Sequence, residues 1–252
     1  MKKIKVLAIG AHADESQCCL GGTLYMLHQA GCDCTVLHVA NHNHYRNQEQ
    51  LKIFDRDITN SCTMLGCREI IIGDRGDRIY NGDRNDRNLI MEQLEAIQPD
   101  IVFIMWPEDS HPEHRRTAQT SYDAILNSFW NKKLNSVREI YAYETDPNQC
   151  MEYFLPDFYI NIQSSEEILR ESLRSCIAEK GEALWQRKAD KSYYRGWCGG
   201  FGHVLTEAFK VVKFPAGVGI EESDLLIRKL LSNSFRWAGA SPWPYGNKYY
   251  QK

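Results

Sequence analysis

The chain lacks a long apolar run, a Cys-x-x-Cys pair and a marked excess of charge of either sign, and each absence excludes a class of protein. No stretch approaches the roughly 18–20 apolar residues of a membrane span. A net charge of −3 supplies no field to draw a polyanion or a lipid surface, so nucleic acid is not an expected partner. The nine cysteines are odd in number and scattered. That argues against a zinc ribbon and a disulfide framework, and for reduced thiols buried as small hydrophobes. Gly-x-Gly-x-x-Gly does not follow the first apolar segment, and the acidic groups found there would repel a pyrophosphate. The basic start, Met-Lys-Lys-Ile-Lys, imitates a signal peptide, but polar residues interrupt the apolar stretch behind it before any cleavage site. We read it as the lead-in to a strand of a cytoplasmic protein.

What the chain does contain is an alternation of strand-like and helix-like segments. Strands are expected at 6–10, 35–40, 69–72, 101–105, 139–143 and 158–162, with helices at about 21–31, 47–66, 86–98, 112–131, 165–188 and 200–210. This order predicts an α/β fold: a Rossmann-like, mostly parallel sheet with helices on both faces. No repeat or linker divides it, so residues 1–214 read as one domain and 215–252 as a C-terminal extension packed on it.

Two stretches stand out. The first strand ends in Ala11-His12-Ala13-Asp14-Glu15, followed by Gly21-Gly22-Thr23. The fourth runs into Asp109-Ser110-His111-Pro112-Glu113-His114, with Pro112 suited to the first turn of a helix. His12 and Glu15, like His111 and His114, are three residues apart, which turns both members of each pair to one side. Strands one and four are commonly neighbours in a doubly wound sheet, so the two ends can converge. Two histidines and a carboxylate, with a position left open, match a catalytic rather than a structural zinc site. Asp14 beside them could take a proton from water, and His111 could stabilise an oxyanion or protonate a leaving amine.

These stretches resemble the LmbE-like/PIG-L family of zinc-dependent N-acetylglucosaminyl deacetylases. The family's Ala-His-Pro-Asp-Asp and Gly-Gly-Thr align with residues 11–15 and 21–23, and its His-Pro-Asp-His with residues 111–114. Supporting likenesses run from Arg56-Asp57 to Glu207-Ala208-Phe209. The resemblance implies Zn2+, or another divalent transition metal, on His12, Glu15 and His114, with Asp14 as base and His111 polarising the tetrahedral intermediate. It implies sugar contacts from Arg56 and Asp77; His42, on the loop after strand two, could reach the same pocket rim. Three residues depart from the family pattern: Ala13 replaces Pro, Glu15 replaces Asp, and Glu113 replaces Asp. The implied partner is a small-molecule amino-sugar substrate, with a homo-oligomer among the assemblies allowed. An amidase for a bulkier amide or thiol conjugate, and a non-catalytic carbohydrate-binding relative, stand as alternatives.

Overall fold

The apolar strands stack side by side because each is buried on both faces. The computed structural model describes residues 3–40, 48–72, 82–145, 154–176, 180–212 and 222–238. Five parallel strands form the main body of the sheet: β1 (Lys5–Gly10), β2 (Asp33–His38), β3 (Cys67–Ile71), β4 (Ile101–Met105) and β5 (Glu139–Tyr143). β6 (Phe158–Asn161), β7 (Thr206–Val211) and β8 (Phe235–Trp237) continue it antiparallel. The strand order is β3-β2-β1-β4-β5-β7-β6-β8. β1 therefore lies between β2 and β4, as the convergence of the two motifs requires.

Alternation along β1 divides the core. Val6 and Ala8 join the cluster that includes Leu24 and Leu27 of α1 (Glu15–Gln29), Cys62 of α2 (Gln48–Met64), and Leu169 and Leu173. Leu7 and Ile9 join the opposite cluster, with Ile90 and Leu94 of α3 (Arg84–Ile97) and Ala124 and Ile125 of α4 (Pro112–Trp130). The expected mostly parallel sheet covered on both faces is what the chain builds.

Two expectations are corrected. The segment expected to be helical at 200–210 holds β7, because Gly199 and Gly200 stop the preceding helix and the chain turns back into the sheet. The single helix expected at 165–188 is two, α5 (Glu166–Cys176) and α6 (Gly181–Cys198). Within the expected C-terminal extension, α7 (Leu226–Leu230) docks its first amides on Glu139, and β8 adds the edge strand beside β6. No disulfide joins the described cysteines, and among the described residues no helix is long and apolar enough to cross a membrane.

The Gly21-Gly22 pair has a physical cause. Helix α1 is broken at Leu20 (φ −137°, ψ 15°), and the Gly22 and Thr23 amides donate instead to the Glu207 carboxylate of β7, at 3.1 and 2.8 Å. A Cβ on Gly22 would lie 2.6 Å from Ile162, so only glycine lets the helix close on the sheet here. Lys188 of α6, fully buried, completes the group with an Nζ–Glu207 contact of 2.5 Å. Lys188→Met is expected to leave Glu207 as an uncompensated buried charge and to cost about 3–5 kcal/mol. The check is the shift in denaturant midpoint, with Lys188→Met/Glu207→Gln recovering part of the loss.

Candidate metal centre

His12 follows the carboxyl end of β1, and Asp14 and Glu15 open α1 one turn later. On the neighbouring strand β4, the chain leaves the sheet at Trp106 and enters α4 with His111 as N-cap and Pro112 at the first helical position. Parallel pairing of β1 with β4 sets both exits at the same end of the sheet. The two motifs meet there.

Glu15 joins them. Its Oε1 lies 2.9 Å from His12 Nδ1 and 3.1 Å from His114 Nε2, while Oε2 accepts the backbone N–H of His12. The longer side chain, where the resembled family has aspartate, is thus taken up by folding back onto its own turn. The far nitrogen of each imidazole meets a second carboxylate: His12 Nε2 lies 2.8 Å from Glu113 Oε2, and His114 Nδ1 3.1 Å from Asp109 Oδ2. Asp109 is itself fixed by the His111 amide at 2.7 Å and by the Thr145 hydroxyl. His12, Glu15 and His114 are all buried.

The electrostatics follow from this packing. Burial alone would lower the His12 pKa, but Glu15 and Glu113 outweigh it and raise it to about 10. His114 is likewise pushed up to about 9, its burial outweighed by Asp109 and Glu15. Glu15 is held well below the ordinary carboxylate range by the two histidines, against its own burial. Asp14 behaves oppositely. It does not cap the helix it precedes, and burial followed by repulsion from Glu15 pushes it up to about 7. His111 is lowered, first by burial and then by His114 and His12. Its ring stacks on His114 at 4.4 Å between centroids, and its Nδ1 accepts the Glu113 amide at 3.3 Å. That bond assigns the proton to Nε2 and leaves Nε2–H as a donor.

Donor atoms of His12, Glu15 and His114 lie within 4.8 Å of one another, as do those of His12, His111 and Glu113. The first set suits a divalent transition metal better. Its donors are two imidazole nitrogens and a carboxylate, and each imidazole is braced through its other nitrogen by a carboxylate, the arrangement that orients metal-ligating histidines. Of the remaining expected residues, Arg56 stands exposed on α2 with its guanidinium on Asp57 at 2.9 Å; His42 and Asp77 lie outside the described residues. Asp109 and the bracing place of Glu113 were missed at the level of sequence, although both residues stand inside the motif.

Residues 7–125 match the family described as PIG-L, GlcNAc-PI de-N-acetylase. A diacetylchitobiose deacetylase of Thermococcus kodakarensis is 23% identical, over 72% of this chain and 72% of that protein. Among solved structures, GalB, the 4-carboxy-2-hydroxymuconate hydratase of Pseudomonas putida KT2440, superposes with a TM-score of 0.72 at 18% identity, covering 86% of this chain and 100% of that one. The N,N'-diacetylchitobiose deacetylase of Pyrococcus horikoshii gives 0.66 at 22% identity, covering 82% and 83%. A hydratase and a deacetylase share the fold, so shape does not select the reaction; the side chains at the strand ends must.

Proposed function

We propose, for a chain that carries a PIG-L (LmbE-like) domain over residues 7–125, that the protein is a zinc-dependent hydrolase. It removes the N-acetyl group from an N-acetylglucosamine-type amino sugar in a small molecule or glycoconjugate. The observation that carries this reading is the buried His12–Glu15–His114 triangle, braced by Glu113 and Asp109, with a second carboxylate, Asp14, left over beside it. The names of the relatives, deacetylases of diacetylchitobiose, supply the substrate class.

His12 Nδ1, Glu15 Oε1 and His114 Nε2 would hold the cation. Bound there, it supplies Lewis acidity, polarising an amide carbonyl and acidifying water. Asp14 takes a proton from the attacking water as its oxygen bonds to the acetyl carbon. The negative charge that develops on the acyl oxygen is met by His111 Nε2–H, a donor already oriented by the Nδ1 bond. As the C–N bond breaks, Asp14 returns the proton to the amine nitrogen, giving acetate and a free amine. Arg56, and Asp77 and His42 from their loops, are proposed to contact the sugar.

Acetate release from a panel of N-acetylated amino sugars, with metal content measured alongside, tests the proposal. Turnover that requires bound metal supports it. Preferential release of larger acyl groups would favour an amidase of bulkier conjugates, and a protein that binds sugars without metal or turnover would overturn it.

Metal affinity is expected to rise with pH. His12 and His114, ordinarily near 6.5, keep their protons to about 10 and about 9 in the chain alone, and ligation expels both. Below about 9 the affinity should therefore gain about a hundredfold per pH unit, flattening above about 10. The same shifts set the stability of the metal-free chain: raised pKa values stabilise fully below 6.5, and that contribution is lost as pH rises through 9 to 10. Competition of Zn2+ against a chromophoric chelator across this range gives the slope; a pH-independent affinity would exclude these histidines as ligands.

A further inference from the structure

One buried polar cluster is not used by the reaction above. His38, the last residue of β2, is 1% exposed; neither ring nitrogen makes a well-formed hydrogen bond among the described residues, although the ring lies against the His12 backbone. Its Nε2 lies 3.6 Å from Glu69 Oε1 of β3. Cys62, fully buried on α2, closes the group, and the donor atoms of the three lie within 4.8 Å of one another.

The spacing fits a cation better than a hydrogen bond. At 3.6 Å the His38–Glu69 contact is too long for N–H···O. It is close to the edge of a tetrahedron around an ion with bonds of about 2.0–2.1 Å, which is roughly 3.3–3.4 Å. The outer contacts have the form that supports metal ligands. Thr59 Oγ1 donates to Glu69 Oε2 at 2.7 Å, and Gln17 Nε2 donates to Cys62 Sγ at 3.3 Å. Gln17 Oε1 is buried without a partner; a flip of that amide would replace the Nε2 donation to Cys62 with an inward-facing oxygen, a fourth donor in place of an outer contact.

We propose that His38, Cys62 and Glu69 form a second divalent transition-metal site, structural rather than catalytic, with zinc the ion whose preferences they match. Thiolate with imidazole selects a borderline-soft ion over magnesium or calcium. On ligation Cys62 gives its thiol proton to solvent, so a doubly charged ion meets one thiolate and one carboxylate and the buried site is neutral. The ligands come from β2, α2 and β3, and Gln17 adds α1, so the ion would tie down the strand end beside Gly10 and His12. The site is separate from the catalytic triangle, shares no residue with it and does not depend on its assignment.

Cobalt distinguishes the two sites, because the catalytic triangle has no sulfur donor. Titrating the metal-free full chain with Co2+ is expected to saturate at two equivalents, with a thiolate-to-cobalt charge-transfer band in the near ultraviolet. Cys62→Ala should lose the band and one equivalent, and His38→Gln should weaken the band, both with unchanged far-ultraviolet circular dichroism. His114→Ala should lose the other equivalent and keep the band. Saturation of the wild type without the band, or a band that survives Cys62→Ala, would overturn the second site. Failure of the catalytic triangle would show instead as an unchanged equivalent count in His114→Ala.

Discussion

Asp14→Asn is expected to lower kcat by about 10²–10⁴-fold while leaving the metal content unchanged. The expectation rests on how the two adjacent acids are divided. Glu15 turns into the protein and spends both oxygens on His12 and His114. Asp14 sits one residue earlier at the helix start, caps nothing, and is only partly buried. Its carboxyl, raised to about 7 by burial and by Glu15, can accept a proton from water and return it to an amine near neutral pH. Asparagine keeps the size and the helix start but cannot carry the proton. Wild-type activity should show an acid limb of about tenfold per pH unit as Asp14 protonates, displaced below 7 because a cation on Glu15 offsets the repulsion that raises Asp14 in the metal-free chain, and the residual activity of the variant should lack that limb. Acetate release combined with elemental analysis gives the result. Full activity in the variant would refute the base assignment, and loss of metal together with activity would make Asp14 a ligand.

The part of the site legible in the sequence is the part in which spacing determines direction. His111 and His114 stand three apart across the first turn of α4, and His12 and Glu15 three apart across the tight turn that joins β1 to α1, so each pair could be placed on one side from its spacing. The supporting carboxylates could not. Asp109 reaches His114 only because the chain between Trp106 and His111 folds back before the helix starts, and no periodicity records that. β7 was misread for a related reason: Glu207 and Lys188, which look like surface charges, are buried against each other. A strand carrying a core glutamate does not show the apolar pattern expected of it. β8, three residues long, is too short to display a period of two. A lone histidine ending an apolar strand ordinarily packs as a core residue; only the approach of Cys62 from α2 and Glu69 from β3 gives His38 another meaning.

His114→Ala is expected to weaken metal binding by roughly 10²–10³-fold and to abolish turnover. A zinc site held by four protein ligands is worth about 10–16 kcal/mol, so one ligand accounts for roughly 3–4 kcal/mol, which is that factor in affinity. The chain should still fold, because Asp109 keeps the His111 amide and the Thr145 hydroxyl when the imidazole is gone. Asp109→Asn is the informative companion. It leaves all three donors in place and removes only the carboxylate that orients His114 through Nδ1, for which about 10–100-fold in affinity is the expected loss. The two variants part at high metal concentration. Excess Zn2+ should restore turnover to Asp109→Asn, whose ligands are intact but loosely held, and should not restore it to His114→Ala. If His114→Ala retains wild-type affinity, the cation is held elsewhere, and the alternative set of His12, His111 and Glu113 becomes the place to look. If Asp109→Asn is lost beyond rescue, Asp109 does more than orient, and its short contact with Thr145 would then be the link that carries the damage into the strand-end frame.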